Sequence, residues 1–186
     1  LHTNAIYGFL TMLFKMIKNY EPSHISVAFD MKAPTFRHKS YTEYKAGRKK
    51  MPGELAMQLQ PLKDVLDKMN IDRQEIEGYE ADDILGTLSL DAEKEGYEVY
   101  IVTGDRDAIQ LASENTRVLI TKKGVGEVEE YDAKAVMERY SLTPDQFIDL
   151  KGLMGDKSDN IPGIPGIGEK TGIKLLLEYK TVQGVL

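Results

Sequence analysis

Eight acidic residues in this chain stand where carboxylates could hold divalent metal ions. They fall in short clusters bordered by apolar sequence: after the run HISVAF, in YEADD, in TGDRD and in GDKSDN. The eight are Asp30, Glu80, Asp82, Asp83, Asp105, Asp107, Asp156 and Asp159. So many carboxylates in one crevice would repel one another unless cations lay between them. Two divalent ions suit this number of ligands, and ions about 3.5–4 Å apart are the usual arrangement for phosphoryl transfer.

Each acidic cluster, taken alone, also has a purely structural interpretation. Acidic residues such as those of YEADD favour the first turn of a helix, where the helix dipole is positive. GDRD is typical of an N-cap with a turn, and GDKSDN is typical of a capped polar loop. The combination of all the clusters favours a metal site over these separate explanations.

A glycine-rich stretch, GIPGIGEKT at residues 163–171, directly follows the last acidic cluster. It is neither a dinucleotide-binding fingerprint nor a P-loop, because no strand precedes it and the P-loop spacing fails. A tight turn at Gly166 and Gly168 would present backbone N–H groups to phosphate at the start of the next helix. Lys170 and Lys174, one helical turn apart, could reach the same nucleic-acid backbone. The alternative is a plain connection between two helices.

A basic segment, FRHKSYTEYKAGRKK at residues 36–50, mixes positive charges with aromatic rings. This pattern is typical of contacts with single-stranded nucleic acid, where charges follow the phosphates and rings stack on bases. A solvated surface loop is the usual alternative for a run of charge. Because the segment comes soon after Asp30, we expect it to overhang the acidic crevice.

The composition excludes several other classes of protein. The 186 residues include no cysteine, which rules out disulfides and thiolate metal sites and fits a reducing compartment. The three histidines form no H-x-x-x-H pair, so any metal would be held by oxygen. The sequence has no apolar run near 18 residues and no signal peptide. The net charge of −6 does not exclude nucleic acid, because cations at the eight acids would leave about +2.

Strands and helices alternate along the part of the chain that must position these residues. Periodicity predicts helices over residues 4–19, 53–69, 81–95, 107–112, 132–140 and 144–155. Short apolar or β-branched runs predict strands over residues 24–29, 73–77, 97–103, 115–121 and 126–131. Residues 31–51 are predicted to form a flexible loop or weak helix. This order predicts an α/β fold with a mainly parallel sheet, whose ligands bind at the carboxyl ends of the strands.

Four motifs in order resemble the 5′-nuclease (flap endonuclease) superfamily. They are FDMKAPTFRHKSYTEYKAGR, YEADDILGTL, YIVTGDRDAIQL and LMGDKSDNIPGIPGIGEKT. The branch that they resemble most is the N-terminal 5′–3′ exonuclease domain of bacterial DNA polymerase I. The resemblance implies a PIN-like core over residues 1–150, with a helical arch at about residues 31–52. It also implies a helix-hairpin-helix module that binds duplex DNA over residues 151–186.

The same resemblance implies roles for individual residues. One metal group would consist of Asp30, Glu80, Asp82 and Asp83, and a second group of Asp105, Asp107, Asp156 and Asp159. The arch residues implied to act on the scissile phosphate are Arg37, Lys45 and Arg48, and those implied to bind the single-stranded 5′ end are Tyr44 and Lys49. The hairpin residues implied to bind duplex DNA are Gly163, Gly166, Gly168, Lys170, Thr171 and Lys174.

The resemblance further implies a structure-specific 5′–3′ exonuclease or 5′ flap endonuclease that acts in primer removal, nick translation and repair. Its cofactors would be two or more Mg²⁺ or Mn²⁺ ions, with K⁺ at the hairpin. Its partners would be DNA with a flap, nick or 5′ end, including RNA–DNA primers, and a polymerase domain C-terminal in the same chain. We expect a monomer in the bacterial cytoplasm, associated with the nucleoid.

Two features depart from the superfamily pattern. The superfamily begins with a strand that carries a further metal-binding Asp, and this sequence does not include it. Either that strand exists in the protein outside these residues, or this fragment is a weak or inactive nuclease. Gly172 stands where relatives commonly have a helix former, and a helix-interior Gly costs roughly 0.5–1 kcal/mol relative to Ala. A DNA-junction-binding module without catalysis and a PIN-type ribonuclease remain alternatives, although the basic segment and the hairpin argue against the ribonuclease.

Overall fold

The structure is a computed structural model that describes residues 2–122 and 127–186. Its helices are α1 (Asn4–Tyr20), α2 (Phe36–Ser40), α3 (Gly53–Lys68), α4 (Ala81–Lys94), α5 (Ala133–Tyr140), α6 (Pro144–Met154), α7 (Glu169–Tyr179) and α8 (Val182–Val185). Its strands are β1 (Ser26–Ala28), β2 (Asp72–Gln74), β3 (Val99–Thr103), β4 (Thr116–Thr121), β5 (Val128–Tyr131), β6 (Gly155–Asp156) and β7 (Ile161–Pro162). A 3-10 helix over Arg106–Leu111 follows β3. None of the described helices has the length and apolar character needed to cross a membrane.

The core strands form two separate sheets. β1 and β2 pair in parallel, with Ser26 opposite Asp72 and Ala28 opposite Gln74. β3 and β4 also pair in parallel, whereas β5 runs antiparallel to β4. Two of these three pairings are parallel, which confirms the expected mainly parallel α/β arrangement. β5 can reverse direction because only a short connection links it to β4.

The main hydrophobic core surrounds the three-stranded sheet. β4 is its central strand, and Val118 and Leu119 on this strand are fully buried. The 3-10 helix, α5, α6 and α7 pack around this sheet, and Leu153 and Leu176 are also fully buried. The two helices that flank the hairpin therefore share one core with the sheet.

α1, α3, β1 and β2 lie on the other side of a large cleft. α1 packs on α3, where the Gln58 side chain accepts a hydrogen bond from the Ala5 N–H (2.9 Å) and donates one to Asn4 Oδ1 (3.1 Å). α4 contacts both β1 and β3, and the cleft between these two strands has a volume of about 1560 Å³.

The predicted elements agree with the structure most closely for the helices. Each predicted helix is present within one residue of its predicted ends, and the one predicted over residues 107–112 is the 3-10 helix. The strands are shorter than predicted, and β1 covers only three of the six residues from 24 to 29. Residues 31–51 contain α2 followed by turns. Residue 126, the predicted start of the last strand, lies outside the described residues.

Gly172 has a packing role in α7. It is buried, and a Cβ atom there would lie 2.6 Å from Leu150 Cδ1 on α6. Leu150 is only 1% exposed, so it has little room to move away. The glycine that was expected to soften this module thus allows α6 and α7 to approach each other closely.

Candidate active site

Seven of the eight predicted acids line the cleft between β1 and β3. They are Asp30, Glu80, Asp82, Asp105, Asp107, Asp156 and Asp159. This confirms the expectation that acidic residues after the strands share one crevice. Asp83 instead borders a separate pocket of about 260 Å³.

The acids after the strands are fixed by backbone hydrogen bonds. Asp30 follows β1, and its Oδ1 accepts a hydrogen bond from the Ala81 N–H (2.7 Å) at the start of α4. Asp105 follows β3 and caps the 3-10 helix, because its side chain accepts from the Asp107 N–H (2.9 Å). Each strand end is therefore tied to the helix that begins beside it.

Tyr44 joins two acids that belong to different predicted metal groups. Its hydroxyl lies 3.0 Å from Glu80 Oε2 and 3.0 Å from Asp159 Oδ2. The residue is only 4% exposed, so its ring is enclosed rather than presented to solvent. The pKa of Tyr44 is raised far above its usual value, mainly by burial and secondly by the two hydrogen bonds. The hydroxyl therefore keeps its single proton and can donate it to either carboxylate.

Asp83 is fully engaged by the protein. Arg37 donates to both of its oxygens, at 2.7 and 2.8 Å, and the Glu80 N–H donates to Oδ2 at 3.0 Å. The hydrogen bonds from Arg37 lower the pKa of Asp83, although partial burial opposes them. Asp83 remains a predicted metal ligand, but it would first have to leave Arg37.

Asp82 has the opposite environment. Its side chain is exposed to the cleft, yet the pKa of Asp82 is raised to about 6. Desolvation is the largest cause, and the negative charges of Asp105, Asp30 and Glu80 add to it. A carboxylate whose charge is disfavoured by neighbouring carboxylates gains most from a bound cation. A cation bound beside Asp82 would offset this repulsion, so the raised pKa is compatible with the predicted role of Asp82 as a metal ligand.

A lysine that the sequence reasoning missed joins Asp107 and Asp156. The ammonium of Lys151, in α6, lies 2.8 Å from Asp107 Oδ1 and 2.7 Å from Asp156 Oδ2. Ser158 adds hydrogen bonds to Asp156 Oδ1 from its backbone N–H (2.7 Å) and its hydroxyl (2.6 Å). Burial tends to raise the pKa of Asp156, but the hydrogen bonds from Lys151 and Ser158 outweigh it and lower that pKa strongly. The sequence signal was a lysine in the last turn of the helix before GDKSDN.

The basic segment contacts the acidic loop directly, as its position after Asp30 predicted. Arg48 forms an ion pair with Asp159, and the Lys45 N–H donates to the Asp159 carbonyl (2.9 Å). The Asn160 side chain donates to the Glu43 carbonyl (2.8 Å). Lys45 also places its ammonium 2.7 Å from Glu80 Oε1. Arg37, Tyr44, Lys45 and Arg48 all line the cleft, whereas Lys49 is exposed outside it.

The carboxylates do not form a ready-made metal site. Within residues 2–122 and 127–186, no three acidic, histidine or cysteine side chains are grouped closely enough to bind an ion. Lysine and arginine side chains pair with Glu80, Asp107, Asp156 and Asp159 instead. The donors are nevertheless all carboxylate oxygens in one open cleft, which fits Mg²⁺ or Mn²⁺ with water completing the shell.

The predicted phosphate-binding hairpin lies beyond the cleft. β6 and β7 pair antiparallel and bring Gly155 opposite Pro162. A Cβ atom at Gly163 would lie 2.2 Å from the Met154 carbonyl carbon, so this close approach requires glycine. Gly166 has a φ of +84°, and Gly168 is the N-cap of α7. Further along α7, three predicted DNA-binding residues are exposed: Lys170, Thr171 and Lys174.

Comparison with known families assigns the chain to two adjoining domains. A family model described as the N-terminal resolvase-like domain of 5′–3′ exonuclease matches residues 1–141, and one described as its C-terminal SAM fold matches residues 142–186. The DNA polymerase I of Bacillus caldotenax is 55% identical over 186 residues, which cover 100% of this chain and 21% of that protein. The chain thus spans about a fifth of the curated relatives it matches.

Solved structures give the same architecture. A T5 5′-exonuclease with divalent zinc ions bound aligns with a TM-score of 0.81 and 26% identity, over 97% of this chain and 69% of that one. A bacteriophage T5 flap endonuclease in a pseudo-enzyme–product complex with DNA and metal ions aligns with a TM-score of 0.81 and 25% identity, covering 97% and 69% of the two chains. The predicted α/β core with a helical C-terminal module is confirmed.

Proposed function

The chain belongs to the 5′–3′ exonuclease family, and on that premise we propose that it hydrolyses DNA phosphodiesters near a 5′ end or flap junction with divalent metal ions. The observation that carries this proposal is the meeting of seven carboxylates and four basic-segment side chains in one cleft. A cleft of both charges suits a polyanionic substrate handled together with metal ions.

The predicted ligands divide into the two groups given by the resemblance. Asp30, Glu80 and Asp82 lie around the start of α4, with Asp83 behind them, and Asp105, Asp107, Asp156 and Asp159 form the second group. Bound Mg²⁺ or Mn²⁺ would lower the pKa of an attacking water and stabilise the leaving oxygen. The carboxylates would hold these ions near the carboxyl ends of β1 and β3.

Three basic side chains are proposed to contact the scissile phosphate. They are Arg37, Lys45 and Arg48, and each is now paired with a carboxylate of the site. Positive groups held beside developing negative charge stabilise the transition state of phosphoryl transfer. Tyr44 is proposed to support this arrangement through Glu80 and Asp159, and Lys49 to attract the single-stranded 5′ end.

The hairpin is proposed to hold duplex DNA. Gly166 and Gly168 leave the backbone uncovered just before α7, where N–H groups can bind phosphate. Gly163 is proposed to support this surface by letting the hairpin pack closely against Met154. The side chains of Lys170, Thr171 and Lys174 extend this surface. The turn is also proposed to hold K⁺, which would add positive charge beside a bound phosphate. Asp156 and Asp159 lie only a few residues before this turn, so the held duplex would stay close to the cleft.

The proposed substrates are DNA flaps, nicks and 5′ ends, including RNA–DNA primers. A polymerase domain C-terminal to these residues is also proposed, because the relatives named DNA polymerase I are about five times longer than this chain. We further propose a monomer that acts in the bacterial cytoplasm at the nucleoid.

The test is cleavage of a 5′-labelled flap duplex by the chain with Mg²⁺, and with EDTA as the metal-free control. Asp105→Ala and Asp156→Ala are expected to abolish product while leaving DNA binding within a fewfold of wild type. Lys134→Met, on the surface of α5, serves as a control outside the cleft. Full cutting by either Asp variant would contradict the assigned roles.

A second candidate is a DNA-junction-binding module without catalysis. The observation that favours it is that lysine and arginine side chains, rather than a grouped set of carboxylates, surround most of the acids. Tight flap binding with no product in Mg²⁺ or Mn²⁺ would support this candidate. Metal-dependent release of a short 5′ product would eliminate it.

A further inference from the structure

Lys151 pairs with acids of the second group, and it belongs to α6 in the folded core rather than to the basic segment. Its ammonium spans two carboxylates, at 2.8 Å from Asp107 Oδ1 and 2.7 Å from Asp156 Oδ2. These two acids belong to different elements, since one lies in the 3-10 helix and the other in β6. One side chain therefore links three elements around the same point of the cleft.

The position of Lys151 is set by the packing of α6. Its neighbours Leu150 and Leu153 are fully buried in the main core, and α6 packs directly on the 3-10 helix. The Lys151 side chain is only 25% exposed. The backbone of Lys151 cannot move away from the two acids without disturbing the core. Only a change of side-chain rotamer can therefore withdraw the ammonium from them.

The charge arrangement gives this contact two opposing effects. Two carboxylates held close together repel each other, and an ammonium between them offsets that repulsion. A divalent ion that approaches the same two carboxylates meets the positive charge of the lysine, which opposes its binding. The ammonium thus stabilises the two carboxylates in their positions and also competes with the metal ion for them.

We propose that Lys151 is a positioning residue that holds Asp107 and Asp156 before a divalent ion binds and competes with that ion for them. It thereby sets the ion concentration at which the second group fills. This inference rests on the proposed function, because that function makes Asp107 and Asp156 metal ligands.

The cations that pair with the two acidic groups then come from different parts of the chain, apart from Arg48, which belongs to the basic segment but pairs with Asp159 of the second group. In the first group, Lys45 pairs with Glu80 and Arg37 with Asp83, and both cations belong to the basic segment. In the second group, the lysine belongs to α6. Movement of the basic segment would free the first group and Asp159, while the contacts of Lys151 with Asp107 and Asp156 would stay in place.

The experiment measures Mn²⁺ binding to the chain without DNA, by the electron paramagnetic resonance signal of free Mn²⁺. The variants are K151M and K151Q, which remove the charge, and K151R, which keeps it. K134M removes the same charge from the surface of α5 and is the matched control. We expect the Mn²⁺ site that includes Asp107 and Asp156 to bind about tenfold more tightly in K151M and K151Q, and to change less than twofold in K151R and K134M.

Thermal unfolding provides a second readout. In EDTA, K151M and K151Q are expected to melt below wild type because the two carboxylates lose their shared cation, and saturating Mn²⁺ should remove the difference. If K151M does not fold, the comparison of K151Q with K151R still isolates the charge.

The outcomes separate this inference from the proposed function. Unchanged or weaker binding at the second site in K151Q would overturn the role of Lys151 while leaving the metal site intact. Absence of a second Mn²⁺ site in wild type would overturn both the role of Lys151 and the two-group metal assignment. Tighter binding in the neutral variants alone would support the inference.

Discussion

Arg37 and Asp83 meet through two parallel hydrogen bonds, with Nη1–Oδ2 at 2.7 Å and Nη2–Oδ1 at 2.8 Å. This pair links α2, which begins the basic segment, to the first turn of α4. The Phe36 N–H, which donates to the Gly78 carbonyl at 3.0 Å, adds a second attachment beside it. The arrangement of the basic segment over the cleft therefore depends on an acid that does not itself line the cleft.

Arg37→Lys keeps the charge but loses the planar two-point contact. We expect the free energy of unfolding to fall by about 1 kcal/mol, since both side chains are partly exposed and solvent screens the pair. Urea unfolding measures the loss, and a double-mutant cycle with Asp83→Asn should return a coupling of similar size. A coupling near zero would mean that the pair does not anchor α2.

Tyr44→Phe removes the hydroxyl between Glu80 and Asp159 while keeping the ring. We expect a loss of about 1 kcal/mol in EDTA, because two carboxylates lose a buried donor. Tyr41→Phe, at a ring that is 39% exposed, is the matched control and should change little. If Tyr44 instead acts only by stacking on DNA bases, Tyr44→Phe would match wild type in stability.

Asp82→Asn tests the raised pKa of Asp82, which is about 6 in the folded chain. Because the folded state holds this proton more tightly than the unfolded state, ionisation of Asp82 destabilises the metal-free protein as pH rises from about 4 to 6. In EDTA at pH 7, Asp82→Asn should therefore melt above wild type, and the difference should vanish below about pH 4. Mn²⁺ should reverse the order at pH 7, because only the wild type keeps the carboxylate. A difference in melting temperature between Asp82→Asn and wild type that stays constant from pH 4 to pH 7 would contradict the prediction.

Gly163→Ala tests the hairpin. A Cβ atom there would lie 2.2–2.5 Å from the backbone of Met154 and Gly155, which cannot yield as a side chain would. We expect a loss of several kcal/mol in stability and weaker binding of duplex DNA. Gly168→Ala has no atom within 4 Å of the added carbon, so its loss should stay below about 1 kcal/mol. Equal losses in the two variants would show that backbone proximity does not explain the glycine at residue 163.

The acidic residues could be found from sequence because their signals are local. Asp30 and Asp105 directly follow apolar strands, and the structure brings both to the cleft. Helix ends were also predictable, since they depend on nearby residues. Thr143, for example, accepts from the Gln146 N–H at 3.2 Å and begins α6 as a capping residue.

The pairings between distant side chains could not be predicted in the same way. Tyr44 and Asp159 are 115 positions apart, and Arg37 and Asp83 are 46 apart. No periodicity or motif records which cation will meet which carboxylate, so the enclosed position of Tyr44 and the bridge made by Lys151 were missed. The division into two sheets is non-local for the same reason, because β1 finds its partner in β2 across α3.

The two separate sheets also affect how the chain loses its structure. Among the residues that the structure describes, the buried residues of the main core all lie between Ile101 and Leu176. The buried residues of α1 and α3, Met16, Leu62 and Leu66, lie outside that core. The β1–β2 ladder is only three residues long. Backbone amides there should exchange with solvent through small openings that leave β3, β4 and β5 intact. The half of the cleft that carries Asp30 is therefore expected to be less cooperative than the half that carries Asp105, so one side of the site can open while the other stays folded.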